Sequence, residues 1–287
     1  MAENSGAMAS QPPLPDLKDV ILIMERVAAR EIMPRFRHLS DHDIAEKKPG
    51  DLVTIADIEA ERALARELSP LVPGSVVVGE EEAGSNPSVL GALAGPRPVW
   101  LIDPLDGTNN FAHGKPCFAV IVALCQSGEV RAGWIHDPLS GLTAWAKAGE
   151  DGAWIREKDE VRRLSAAAPA PMKEMEGSLG NSLIKRLTEK RDAGEGDIPA
   201  RMVRYRCVGQ EYLDLARGRL HFSRYGGCLK PWDHAAGVLI HRKAGGFSAI
   251  IEDQAPYSPR PGIVRGTLLL APDAAGWDAL HRVMNGV

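Results

Sequence analysis

Cysteine is scarce in this chain: Cys117, Cys125, Cys207 and Cys228 stand far apart, with no CxxC pair among them. That excludes a disulfide framework and predicts free buried thiols in a reducing cytoplasm. No apolar run approaches the roughly 18 residues of a membrane helix. The opening residues, MAENSGAMASQPPLPD, lack the basic-then-apolar order of a secretory signal. A dominant charge is missing too. Lys and Arg total 34 against 38 Asp and Glu, a net charge of −4. Such a balance offers no electrostatic footprint for nucleic acid or an anionic membrane surface. What remains is ordinary globular usage, and 287 residues can bury a sizeable core without staples. The six tryptophans are scattered and read as core or subunit-contact residues.

Residues 1–14 read as a disordered tail, because they are small, polar and proline-containing. The folded unit is expected over 15–287, with sub-regions of about 15–160 and 161–287. Leu17, Val20, Ile21, Met24, Val27 and Ala28 recur at helical spacing, with Pro34 following the helix. A second helix is expected from about Asp57 to Leu68. Asp57 would cap it, and Ala60, Ala63, Leu64 and Leu68 would face inward. Between about 75 and 156 the short runs SVVVG, PVWLID, FAVIVALCQ, VRAGWIHD, LTAWAK and GAWIR read as strands. Most of their connections are too short for a crossover helix, so neighbours are expected to pair antiparallel. Residues 167–200 carry no clear pattern. Beyond them come a helix near Val208–Arg217 stopping at Gly218, a strand RLHFS, and a helix beginning near Asp233. The strand GTLLLA and a last helix after Pro272 close the chain. Helices, then strands, then alternating pairs describe a layered α+β architecture.

Three acidic clusters sit where strands run out or helices begin. Glu80, Glu81 and Glu82 follow the apolar run VVV and Gly79; Asp103 and Asp106 end the run WLID; Asp233 lies in PWDHAAG. Each also fits a plainer reading: a solvated loop, an Asp-Gly turn, a helix cap. The segment DPLDGTNNF resists that reading most. Pro104 holds Asp103 extended, and Gly107 permits close approach of a ligand to the backbone. Thr108, Asn109 and Asn110 then supply polar groups. Carboxylates followed by backbone N–H groups suit a hard cation bridged to phosphate.

These segments resemble the inositol monophosphatase family. DPLDGTNNF is similar to its DP-(I/L)-DGT-xNF motif, and PWDHAAG with AGG to its WDxAAG…AGG motif. DLVTIAD and the GEE of VVVGEEEAG match two upstream motifs in the same order. The resemblance implies a layered αβαβα sandwich of the inositol monophosphatase and fructose-1,6-bisphosphatase type, and a Mg²⁺-dependent hydrolase. Glu80, Asp103 and the Leu105 carbonyl would hold one Mg²⁺; Asp103, Asp106 and Asp233 would hold a second, with a third held weakly through Glu80. Asp57 and Thr108 would orient the attacking water, with Glu81 supporting the site from behind. The N–H groups of Gly107 and Thr108 would receive phosphate oxygens. A small phosphorylated substrate, a cytoplasmic homodimer, and no nucleic-acid or membrane partner are expected.

Two departures fall where substrate choice is made. Members that prefer inositol phosphate often carry a glutamate seven residues before the motif aspartate, and position 226 is glycine here. The family's small G-(S/T)-A-A segment reads Val208-Gly209-Gln210-Glu211-Tyr212. Glu211 could replace the absent carboxylate, and Arg224 could favour a further anionic group; surface ion pairs explain either equally well. Inositol monophosphate leads as substrate, with histidinol phosphate, fructose 1,6-bisphosphate and 3′-phosphoadenosine phosphate as rivals. A regulatory RNA- or protein-binding member is the non-enzymatic alternative.

Overall fold

The computed structural model describes residues 14–285, so the expected tail lies outside the described residues apart from Leu14. Helix α1 (Leu17–Val27) buries Val20, Ile21, Met24 and Val27 on one face, and the Asp16 carboxylate caps its start. Helical winding continues as a wider turn over Ala28–Ile32 and a tighter one over Met33–Arg35, so Pro34 lies inside a turn rather than beyond the helix. Strands β1 (Ile44–Lys48) and β2 (Asp51–Thr54) form a separate antiparallel pair.

Helix α2 (Ile55–Leu68) starts two residues earlier than the sequence pattern implied. Thr54, not Asp57, is its cap: the Thr54 hydroxyl accepts from Ala56 N–H, while Asp57 reaches back to Thr54 N–H. This reciprocal pair satisfies two donors at the helix start. Ala60, Ala63, Leu64 and Leu68 are buried, as the stripe predicted.

Next come β3 (Val76–Gly79), α3 (Glu80–Ser85), β4 (Val99–Asp106) and α4 (Thr108–Ala112). β3 and β4 pair in parallel, against the antiparallel expectation. The connection between them carries α3 and a further helical segment over Pro87–Ala94, long enough for a crossover. From β4 onward the expectation holds: β5 (Ala119–Gln126), β6 (Glu129–Asp137), β7 (Leu142–Lys147) and β8 (Ala153–Glu157) continue as an antiparallel meander, which β9 (Glu160–Arg163), a strand the sequence pattern did not include, extends. These seven strands make one sheet in sequence order.

The second sheet draws on distant segments. Its members are β10 (Glu176–Ser178), β11 (Arg201–Val203), β12 (Phe222–Leu229), β13 (Phe247–Ile250) and β14 (Val264–Ala271), in the order β11-β10-β12-β14-β13. The strand read as RLHFS begins only at Phe222 and runs on through two glycines to Leu229. Around it lie α5 (Asn181–Asp192), α6 (Val208–Ala216), α7 (Pro231–Lys243) and α8 (Ala274–Asn285). Segment 167–200, which gave no pattern, holds β10 and α5.

Three apolar clusters define five layers. One joins α1 and α2 to the outer face of the seven-stranded sheet. A second fills the space between the two sheets around α6 and α7. A third packs α5 and α8 on the far side of the five-stranded sheet. The result is the αβαβα sandwich. Helix α7 starts at Pro231, where a missing N–H costs nothing, and not at Asp233. It presses so closely on β6 that a Cβ at Gly133 would stand 2.7 Å from the Ala236 Cα. That contact fixes where Asp233 lies. All four cysteines are free, as expected, but Cys228 is exposed and Cys117 only half-buried.

Candidate active site

The acidic segments meet where β2, β3 and β4 end and α7 begins. One carboxylate oxygen from each of Glu80, Asp103 and Asp233 lies within 4.8 Å of the others, on three separate elements. Asp103 is buried, and its Oδ1 accepts the Leu105 N–H at 3.1 Å. The register of β4 against β5 breaks between Asp103 and Asp106, which turns Pro104-Leu105 out of regular pairing. Burial, reinforced by Glu80, Asp106 and Asp233, pushes the Asp103 carboxyl well above the usual range. Asp233 is raised in the same way, with Lys230 opposing. Clustered carboxylates with so little compensation, all oxygen donors, fit a hard divalent cation such as Mg²⁺.

Asp106 is oriented differently. Its Oδ2 accepts from Gly209 N–H at 2.6 Å and from the Cys207 thiol at 3.0 Å, both at the start of α6. Those contacts tie the end of β4 to the inner helix layer. Lys230 Nζ stands 2.7 Å from Glu80 Oε1, and Lys47 Nζ 2.6 Å from Glu81 Oε1. Burial alone would lower the Lys230 pKa; Asp233, Glu80 and Asp103 outweigh it and raise it.

Asp57 and Thr108 form a second unit beside the carboxylates. Thr108 Oγ1 lies 2.9 Å from Asp57 Oδ1 and 3.0 Å from the Leu105 carbonyl. Asp57 Oδ2 accepts from the Thr54 N–H and hydroxyl at 2.8 and 2.6 Å. Burial raises the Asp57 pKa to about 7 despite these hydrogen bonds. A carboxylate poised there can take a proton near neutral pH. Gly107 opens α4 with φ of +87°, a conformation that only glycine adopts cheaply, and a Cβ would stand 2.9 Å from the Cys117 carbonyl.

The sequence reading did not single out Glu61, which organises these pieces. Its Oε2 accepts Glu81 N–H at 2.7 Å and its Oε1 accepts Glu82 N–H at 2.9 Å. It lies one turn beyond Asp57 on α2 and so locks α3, with Glu80 and Glu81, to the helix that carries Asp57. A Cβ on Gly79 would overlap the Glu61 carboxyl, so glycine just before the glutamates leaves Glu61 its place against α3. The legible signal was an acidic residue on the buried side of an amphipathic helix.

Glu211 is buried on α6, and neither solvent nor an arginine takes its carboxylate. Its Oε1 lies 2.6 Å from the Ser178 hydroxyl and its Oε2 3.3 Å from the Ser223 hydroxyl. Glu211 and Arg224 both line a cavity of about 300 Å³ bounded also by Asp106 and Asp233. His234, beside Asp233, is buried against Tyr212, with 3.1 Å between Nδ1 and the phenol oxygen. Burial lowers its pKa to about 3, so the ring stays neutral. His113 turns away, bonding the Asn109 carbonyl at 2.7 Å.

A layered αβαβα sandwich with converging acidic segments at the strand ends defines a class, and comparison with known proteins gives the family. The inositol monophosphatase family matches residues 18–278. A fructose-1,6-bisphosphatase/inositol-1-monophosphatase of Thermotoga maritima is 33% identical over 221 residues, 73% of this chain and 76% of that protein. An inositol-1-monophosphatase of Mesorhizobium japonicum is 33% identical, over 80% of this chain and 84% of that one. A solved Thermotoga maritima IMPase overlays with a TM-score of 0.74 at 25% identity, covering 94% of this chain and 96% of that chain. The chain belongs to the inositol monophosphatase family. It is a phosphatase of that family, and among the described residues no helix is long and apolar enough to cross a membrane.

Proposed function

We propose that the protein hydrolyses a small phosphate monoester in a Mg²⁺-dependent reaction, by direct attack of water on phosphorus. The observation that carries this is the meeting of Glu80, Asp103 and Asp233 beside the Asp57–Thr108 pair. These carboxylates, with Asp106 and the Leu105 carbonyl, are the groups that would hold Mg²⁺. When bound there, the cation supplies Lewis acidity toward the phosphate and its attacking water. The chain's own part is orientation and proton transfer. Thr108 Oγ1 passes a proton to Asp57 Oδ1 as it takes one from the water, and the Thr54 contacts keep Asp57 in line. Glu61 and Lys47 hold Glu81 and the start of α3 in place. The N–H groups of Gly107 and Thr108 receive phosphate oxygens.

Inositol monophosphate is the reference substrate, because relatives are named for it. The test is phosphate release from a panel of inositol 1-phosphate, histidinol phosphate and an aryl phosphate, with and without Mg²⁺. Mg²⁺-dependent turnover that collapses in Asp57→Asn is expected. Turnover without Mg²⁺, or an Asp57→Asn protein as fast as the parent, would defeat the reading. A cytoplasmic homodimer belongs to the same proposal; a 30.9 kDa species alone in light scattering at micromolar concentration would count against the dimer.

A further inference from the structure

Lys230 has no local reason to stand where it does. It is the single residue between β12 and α7 and occupies the capping position of α7. Its backbone is extended (φ −72°, ψ 136°), as Pro231 favours for the residue before it. A lysine side chain offers no acceptor for the first N–H groups of a helix, and no side chain caps α7 at this position. Its charge also lies at the positive end of the helix dipole, where a cation is disfavoured. Both effects count against lysine here.

The tertiary surroundings reverse that. Lys230 Nζ lies 2.7 Å from Glu80 Oε1, and both side chains are half-buried. Against burial, Asp233, Glu80 and Asp103 hold the ammonium group charged. Those are the same three residues that each bring one carboxylate oxygen within 4.8 Å of the others. Nζ also stands over the Trp232 ring, 5.7 Å from its centroid. Lys230 therefore ties α3, through Glu80, to the start of the helix that carries Asp233. Lys47 makes the contrast: its Nζ is 2.6 Å from Glu81 Oε1, and Glu81 is not one of the three converging residues. An ammonium group and a hard cation make the same demand on a carboxylate, because both approach its oxygens in the ionised form. Glu80 thus faces two cations, one covalently attached to the chain and one that would arrive from solution.

We propose that Lys230 is a tethered cation that shares Glu80 with Mg²⁺: it holds α3 and α7 together in Mg²⁺-free protein and loosens its hold on Glu80 as the ion binds. It is a positioning residue, and it acts in two opposed ways. It relieves the repulsion among Glu80, Asp103 and Asp233, and by occupying Glu80 it weakens the affinity of the site for Mg²⁺. The Mg²⁺ concentration to which the enzyme responds is then set in part by a residue that need not ligate the ion. The proposal rests on the Mg²⁺-dependent reading above.

The test is Mg²⁺ binding by calorimetry without substrate, with melting temperatures in EDTA alongside, for the parent, Lys230→Met, Lys230→Arg and Lys47→Met. Methionine keeps an unbranched apolar stem and removes the charge. Lys230→Met should tighten Mg²⁺ binding by at least about threefold and lower the melting temperature in EDTA. A merely structural role would move both the other way round, lowering stability and weakening binding together. Lys230→Arg keeps the charge, so both of its values should lie nearer the parent. Lys47→Met, which takes a charge from Glu81 instead of Glu80, should alter Mg²⁺ binding less than Lys230→Met does. Unchanged or weaker binding in Lys230→Met overturns the proposal, and so does equal tightening in Lys47→Met, which would reduce the effect to overall charge. Should Lys230→Met fail to fold, acylation of Lys230 in the parent, read by mass spectrometry, decides the matter. Its rate should rise when Mg²⁺ replaces EDTA, and an unaltered rate overturns the proposal. A parent protein that binds no Mg²⁺ would defeat the Mg²⁺-dependent reading itself, whereas binding that ignores Lys230→Met defeats only the role of Lys230.

Discussion

The floor of the site and its far wall are built on opposite terms. On the floor, the charged groups are tied to the backbone: Asp57 to Thr54, Glu61 to two N–H groups of α3, Asp106 to Gly209. On the wall, Arg204 and Arg206 are exposed, and Arg224 has an unpartnered Nε. These ties hold the floor's carboxylates in one arrangement, as the proposed transition state, which tolerates little displacement, requires. Under the proposed hydrolysis, the contrast assigns the reaction to the floor, with the wall bordering it.

The largest effect is expected from Asp103→Asn. It removes charge from the centre of the carboxylate cluster, and Mg²⁺-dependent turnover should fall by several orders of magnitude. The melting temperature in EDTA should hold or rise, since a repelling charge is gone. Near-normal turnover would break the division between floor and wall at its foundation.

Gly79→Ala comes next. Its methyl group would overlap the Glu61 carboxyl, which must move off the α3 N–H groups it accepts. We expect a loss of about 1–3 kcal/mol in denaturant stability and a clear fall in activity with every substrate. A selective fall with one substrate would contradict a purely positional role for the floor.

A milder change is Glu61→Gln. One of the two N–H groups of α3 would face an amide NH₂ instead of an oxygen, at a cost of about 1–3 kcal/mol. The Mg²⁺ concentration for half-maximal activity should rise while preference among substrates stays constant. An unaltered Mg²⁺ titration in a folded protein would remove Glu61 from the list of positioning residues.

The smallest effect on activity is expected at His241, on the helix that links the two sheets. Burial lowers its pKa to about 4, so the folded protein keeps it neutral where the unfolded chain binds a proton. Between pH 6.5 and 4 the unfolded state therefore holds more protons, and this residue's contribution to stability is lost as pH falls. Asp57 and Glu61 act with the opposite sign. Burial raises both to about 7, so metal-free protein should lose stability as pH rises toward 7. Chemical denaturation in EDTA across pH 4–8, for the parent and His241→Gln, separates the two. The difference between them should grow with pH up to 6.5 and then level. A flat difference would show that His241 does not titrate in this way.

Much of the floor was legible because its residues come in short, contiguous runs. Asp103, Asp106, Gly107 and Thr108 share one segment in which Pro104 restricts the backbone and Gly107 permits a left-handed turn, and such local preferences survive without tertiary context. The inward stripe of α2 was legible for the same reason, a period of 3.6 residues. Its start was misplaced because an aspartate at the third helical position and one at the cap look alike in sequence; the donors they satisfy distinguish them. The parallel pairing of β3 and β4 was missed because a crossover composed of short helical pieces leaves no long periodic signal.

By itself, the sequence determined the family, the acidic segments and the meander from β4 to β8, where neighbours in sequence are neighbours in space. Only the tertiary structure decided which carboxylates face one another, that Glu61 clamps α3, that Glu211 is held by two serines, and that Arg204, Arg206 and Arg224 line one cavity. Those contacts join residues 20 to more than 100 positions apart, such as Glu61 with Glu81 and Asp106 with Gly209. Their geometry depends on how two sheets and their helices pack, and side-chain packing across layers has no period along the chain.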